Sequence, residues 1–187
     1  MSVKDFVQQR RDTLIAMRRD FHMHPEPAWL EYRSAAKVAD MLISLGYDVA
    51  LGADVLDLDS RMGLPSDEVM KAAMDRAIEE GANPVLVEKM GYGKTAIVAT
   101  MKFGGEGPVV AFRVDMDSND VIEAKEDSHV PTKEGFRSCH DKAMHACGHD
   151  AHMTMGLGLA EYLAAHKDEF KGTIKLIFQP AEEGVRR

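Results

Sequence analysis

Apolar residues Val3, Phe6, Val7, Leu14, Met17 and Phe21 recur at helical spacing, with Arg10, Arg11, Arg18 and Arg19 on the other faces, which predicts a helix over residues 2–20. His24-Pro25-Glu26-Pro27 breaks it, because neither proline continues a helix. Ser34 then reads as the N-cap of a second helix carrying Ala35, Ala36, Val38, Ala39, Met41, Leu42 and Leu45, with Gly46 as its C-terminal stop and a short strand from Tyr47 to Leu51. Residues 53–92 change character. Ser66-Asp67-Glu68 predicts an acidic, capped helix start and Gly81 its end, and the charge on most sides reads as a surface insertion.

Two apolar runs follow, Thr95–Phe103 and Pro108–Val114, separated by Gly104-Gly105-Glu106-Gly107; the pattern predicts a β-hairpin. A polar stretch from Ser118 to Lys142 lacks periodicity. His152–His166 predicts a helix and Thr173–Phe178 a buried strand. Strand, helix, strand predicts a βαβ unit with a parallel pair, so the expected class is α/β.

In such a unit the strand C-termini and the N-terminus of the connecting helix share one edge, where ligand sites form. Three polar clusters fall there: Asp115 and Asp117, Cys147 and His149, and Glu182 and Glu183. In Met144-His145-Ala146-Cys147-Gly148-His149-Asp150-Ala151-His152, thiolate and imidazole suit a borderline-soft divalent metal, and Gly148 lets both aim at one point. A position at a helix N-terminus would favour the Cys147 thiolate. Taken alone the motif also fits a free cysteine beside surface histidines, and His145 and His152 read as histidines beside a site or on the surface rather than ligands. Glu182 and Glu183, directly after a strand, suit a division of labour between a metal ligand and a general base, although a Glu-Glu pair alone also fits a solvated turn. His22-Met23-His24 reads as a structural corner. Gly91-Tyr92-Gly93-Lys94-Thr95 ends like a phosphate loop, but Glu88 stands where that loop needs glycine, and a strand follows rather than a helix; nucleotide binding is excluded.

Composition narrows the classes further. The 187 residues are 45% hydrophobic and 29% charged, enough for one soluble domain with a core. With 23 basic and 31 acidic side chains the net charge is -8, which repels phosphate backbones and argues against a nucleic-acid partner. No apolar run approaches the roughly 20 residues of a membrane span, and the N-terminus lacks a secretory apolar stretch, so a cytoplasmic protein without membrane contact is expected. The two cysteines, Cys139 and Cys147, are expected free or metal-bound rather than bridged.

With these pieces in place the chain resembles the amidohydrolase branch of the dinuclear metallopeptidases, which holds aminoacylases, hippurate hydrolases and auxin–amino acid conjugate hydrolases. The matching stretches are Arg18 to Glu26, Phe112-Arg113-Val114-Asp115-Met116-Asp117, Met144 to His152, and Gln179-Pro180-Ala181-Glu182-Glu183-Gly184. The tract Ser60-Arg61-Met62-Gly63-Leu64-Pro65 and Asp127-Ser128-His129 resemble the p-aminobenzoyl-glutamate hydrolases within it. The resemblance implies the N-terminal half of a three-layer αβα catalytic domain, of zinc-peptidase type, with a mixed, mainly parallel sheet. It implies Cys147, His149 and Glu183 as metal ligands, Glu182 as general base, and Asp115 beside the site. It implies two divalent ions, Mn2+ or Zn2+, and a small-molecule amide substrate of the N-acyl amino acid type. It further implies a lid and dimerisation domain and a C-terminal half outside these 187 residues, and a dimer or a hetero-oligomer with a homologous B subunit. The contrasting expectation is a non-catalytic metal-binding or interaction fragment of the same fold.

Overall fold

The computed structural model describes residues 1–186. In chain order the elements are α1 (Val3–Met23), α2 (Tyr32–Ser44), β1 (Asp48–Leu51), α3 (Asp67–Glu79), α4 (Pro84–Met90), β2 (Ile97–Lys102), β3 (Val109–Asp115), α5 (Val130–Lys133), α6 (His149–Ala165) and β4 (Thr173–Gln179). The class is mixed α/β, as the pattern of elements implies. The longest helix boundaries follow the apolar spacing and their caps. Ser2 accepts from the Asp5 N–H, Ser66 from the Val69 N–H, and Gly46 takes the left-handed conformation after α2.

Helix α2 begins at Tyr32, before the serine that the pattern marks as its cap. The reason is non-local: the buried Glu26 carboxylate accepts the N–H groups of Arg33 and Ser34, each at 2.8 Å, and so serves the first turn from outside the helix. Helices α3 and α4 pack on α2 and bury Met70, Ala73 and Ala77, and Leu86, Val87 and Met90. The segment 53–92 therefore contributes to the core.

The sheet order is β1-β2-β4-β3. The parallel pairing of β3 with β4 through α6 matches the βαβ reading. Two expectations need correction. Strands β2 and β3 do not form a hairpin; β4 lies between them, antiparallel to β2 and parallel to β3. The glycine tract turns the chain widely enough for that. Phe103 N–H donates to the Gly172 carbonyl and Thr173 N–H to the Pro108 carbonyl, so the entry to β4 threads between the ends of both strands. A side chain at Gly107 would meet the Lys171–Gly172 backbone at 2.8 Å. The sheet is also not mainly parallel, since β1–β2 and β2–β4 are both antiparallel.

Register aligns one apolar face: Leu51 with Ile97, Ile97 with Phe178, Phe178 with Val114, and Ala99 with Leu176. Helices α2 and α6 cover this face, and α1 packs on α6. Gly156 lets α6 approach closely, because a Cβ there would lie 2.8 Å from Val114 and 3.2 Å from Phe178.

His22, near the end of α1, is the polar rivet of this packing. Its Nδ1 lies 2.8 Å from Asp150 and its Nε2 2.9 Å from Glu123, all three buried. Burial opposes the charged ring, but the hydrogen bonds and charges of the two carboxylates outweigh it and raise the pKa above the ordinary histidine value. A raised folded pKa gives stability that is complete below about pH 6.5 and lost as pH rises through the folded value. The stability difference between wild type and His22→Gln, measured by urea unfolding, is therefore expected to shrink from pH 6 towards pH 9. A difference that grows with pH would show that the ring is held neutral.

Candidate metal centre

The three polar clusters meet at the C-terminal edge of β3 and β4. Gly148, in the left-handed conformation, caps α6 and turns the chain so that Cys147 precedes the helix and His149 begins it. The first turn of α6 carries His149 and Asp150 in place of apolar residues, which hides the helix start from apolar spacing. On the other side, β4 ends at Gln179, and Ala181, with φ 55°, swings Glu182 and Glu183 towards that turn.

Cys147, His149 and Glu183 come together: their donor atoms all lie within 4.8 Å of one another. The His149 Nδ1–H donates to the Asp117 carbonyl at 2.7 Å, which in the neutral ring leaves the Nε2 lone pair available to a cation. Glu182 stands beside the trio, about one-third exposed, with Oε2 4.0 Å from His149 Nε2 and Oε1 4.0 Å from Arg113 Nη2. Asp115 is placed differently. Its carboxylate is held by Arg113 at 2.8 and 3.2 Å and lies 3.6 Å from His152, with which it and His149 form a neighbouring cluster. The His149 and His152 rings stack, with centroids 5.1 Å apart. His145 is buried without a hydrogen-bond partner, and burial lowers its pKa to about 3, so it is a neutral ring behind the site.

Asp117 belongs to this edge by its position after β3, but sequence alone gives it no role. It is fully buried; Oδ2 accepts the Glu183 N–H at 2.8 Å and Oδ1 lies 3.3 Å from His149 Nδ1. It therefore ties two members of the converging trio together. The signal for it is the order Asp115-Met116-Asp117, a second carboxylate two residues on at the end of an apolar strand.

The residues fit a divalent cation. The Asp117 Oδ1 atom is buried with no hydrogen-bond partner, and the His149 Nδ1–H, 3.3 Å from it, is committed to the Asp117 carbonyl. The Cys147 thiol is pushed up, first by its hydrogen bond to Glu183 and then by burial. A cation between thiol and carboxylate reverses that repulsion. His149 is pushed up as well; burial opposes the charge, and the Asp117 contacts with the Asp115 charge outweigh it. The set of thiolate, imidazole and carboxylate matches borderline-soft ions.

Because Asp117 orients His149 and anchors Glu183, Asp117→Asn is expected to weaken metal affinity by about 10–100-fold while the fold is retained. Competition with a chromogenic chelator reads the affinity directly, and unchanged affinity would remove Asp117 from the site.

Comparison with known proteins gives a consistent picture. Residues 111–187 match peptidase family M20/M25/M40. The chain is 47% identical over 184 residues to indole-3-acetyl-aspartic acid hydrolase of Enterobacter agglomerans, covering 98% of this chain and 42% of that protein. It is 47% identical over 185 residues to a p-aminobenzoyl-glutamate hydrolase subunit of Escherichia coli K12, covering 99% of this chain and 42% of that protein. Among solved structures, the aminobenzoyl-glutamate utilization protein of Klebsiella pneumoniae superposes with TM-score 0.80 at 42% identity, over 98% of this chain and 40% of that one. A dinuclear metal-binding M20 peptidase of Bacillus subtilis, YXEP, superposes with TM-score 0.61 at 30% identity, over 96% of this chain and 36% of that one. The chain thus spans less than half the length of these relatives.

Proposed function

From its membership of peptidase family M20/M25/M40, to which the chain belongs, we propose that the protein takes part in metal-dependent hydrolysis of an amide bond in an N-acyl amino acid. The observation that carries the reading is the convergence of Cys147, His149 and Glu183 with Glu182 alongside. In this reading the trio holds a divalent ion, and Asp117 fixes the His149 tautomer that presents Nε2. Bound divalent ions, manganese or zinc, supply Lewis acidity that acidifies water and polarises the amide carbonyl. Glu182, free of the ligand set, takes one proton from the attacking water on a carboxylate oxygen. As the C–N bond breaks, Glu182 returns that proton to the departing amine nitrogen, so the carboxylate is regenerated and the acid and amine products balance. Asp115 keeps Arg113 beside Glu182 through their paired hydrogen bonds.

Three donors do not fill two ions, so the reading includes further ligands from residues outside this stretch. The Enterobacter and Escherichia coli relatives are named for amides that join an aromatic acyl group to aspartate or glutamate. We extend that class to this protein, with p-aminobenzoyl-glutamate as the first substrate to test. The Escherichia coli relative is named as one subunit of its hydrolase, which supports assembly with a second chain, in this reading a homologous one. Among the described residues no helix is long and apolar enough to cross a membrane. Cys139 and Cys147, both unbridged, suit the reducing cytoplasm.

The test is release of p-aminobenzoate and glutamate by the protein as its gene encodes it, beside acetylated amino acids, before and after chelation. Cleavage is expected to vanish with chelator and return with manganese or zinc. Amide cleavage indifferent to chelation, or none in the metal-loaded protein, would overturn the reading.

A further inference from the structure

We propose a second divalent-cation site, separate from the first, formed by Glu80, Cys139 and His140, with zinc the ion it suits best. The proposal stands independently of the amidohydrolase reading.

Three donor types from two distant stretches meet here. Glu80 caps the end of α3, and Cys139 and His140 lie in the loop between α5 and α6. Their ligand atoms all lie within 4.8 Å of one another. Ligand atoms around a tetrahedral zinc stand roughly 3.3–3.8 Å apart, given bonds of about 2.0–2.3 Å, so small side-chain rotations would close the set.

The hydrogen bonding around the cluster leaves acceptors facing each other. His140 Nδ1–H donates to the Pro25 carbonyl at 2.7 Å, which in the neutral ring makes Nε2 an acceptor. That Nε2 lies 2.8 Å from Glu80 Oε1, also an acceptor. The contact needs either a second proton on the ring or a cation between the two atoms. The other carboxylate oxygen, Glu80 Oε2, is buried with no hydrogen-bond partner. The Cys139 Sγ lies within 4.8 Å of a Glu80 carboxylate oxygen, and burial and then the Glu80 charge push the thiol up. A divalent ion satisfies all three groups at once.

The ligand backbones are already held. Cys139 N–H donates to the Met23 carbonyl at 2.9 Å, and His140 N–H to Ser138 Oγ at 3.1 Å. Two arginines also stand near the cluster. Arg33 is paired with Asp20 and also donates to the Glu80 carbonyl. Arg76, whose Nε and Nη2 are buried without partners, favours the Cys139 thiolate while adding a positive charge near the ion. Thiolate and carboxylate neutralise the two charges of the ion, and thiolate with imidazole selects zinc over manganese or magnesium. An ion at this place would clamp the end of α3 to the loop that leads into Cys147.

The experiment uses the chain carrying Cys147→Ser and His149→Ala, which disables the first site. Cobalt(II) is titrated as the spectroscopic probe and zinc binding is counted by equilibrium dialysis. One equivalent of cobalt with a thiolate-to-cobalt charge-transfer band in the near ultraviolet is expected, together with one equivalent of zinc. Adding Cys139→Ser should abolish the band, and Glu80→Gln should weaken zinc binding at least tenfold with unchanged circular dichroism. Absence of stoichiometric zinc in the Cys147→Ser, His149→Ala background, or zinc affinity unmoved by both Cys139→Ser and Glu80→Gln, would overturn the proposal.

Discussion

Glu182→Gln is expected to lower amide turnover by about 10²–10⁴-fold, the range typical of a lost general base, with metal content unchanged. The substitution keeps size and shape but removes the carboxylate that, in the proposed mechanism, takes and returns the proton. Glu182 sits at the rim of the trio, one-third exposed and 4.0 Å from His149 Nε2 and Arg113 Nη2, so an amide there leaves the ligand atoms in place. The neighbouring change, Glu183→Gln, should behave in the opposite manner and cost metal first, because Glu183 belongs to the converging donors. The pair of measurements, turnover of p-aminobenzoyl-glutamate and bound metal per chain, distinguishes the two adjacent carboxylates. A Glu182→Gln protein with near-normal turnover would transfer the base to another group, and one depleted of metal would make Glu182 a ligand.

The reason these two residues can be picked from sequence is local: both lie within four residues of the end of a strand whose apolar alternation is plain. Cys147 and His149 are legible for the same reason, through Gly148 and the apolar helix after it. Asp117 is harder, because its role is defined by what it touches across the fold, the Glu183 N–H 66 residues away and the His149 ring 32 residues away. The same limit explains the start of α2, which is served by Glu26, and the misplaced hairpin, where β4, from much later in the chain, lies between β2 and β3. Apolar periodicity reports which face of an element is buried, not which strand lies next to it. The site in Glu80, Cys139 and His140 has no local signature at all, since a Cys-His pair means little until the end of α3 is brought to it.

Glu31→Ala carries the largest expected loss of stability, about 3–5 kcal/mol, because it strips a buried acceptor from three buried donors. Glu31 is fully buried at the start of α2. Oε1 accepts the N–H groups of Trp29 at 3.0 Å and Ala181 at 2.9 Å, and Oε2 accepts the Thr95 hydroxyl at 2.6 Å. Among the described residues, Trp29 and Ala181 are the two non-glycine residues with positive φ, 65° and 55°, conformations that cost about 1–2 kcal/mol each unless something holds them. One carboxylate thus secures two strained turns, and the second of them aims Glu182 and Glu183 at the site. Glu31→Gln should keep most of the stability: its oxygen can accept both N–H groups while its NH2 donates to a rotated Thr95 hydroxyl. The two variants also separate charge from hydrogen bonding. Burial, then the charge of Asp117, raises the Glu31 pKa to about 8. A carboxyl raised in the folded state gives stability that is complete below its unfolded value near 4.5 and lost as pH rises through about 8. Wild type should therefore lose stability relative to Glu31→Gln across that window, while Glu31→Ala stays far below both. Urea unfolding at pH 5 and pH 8 reads all three, and an alanine variant within 1 kcal/mol of wild type would mean that water, not Glu31, satisfies these donors.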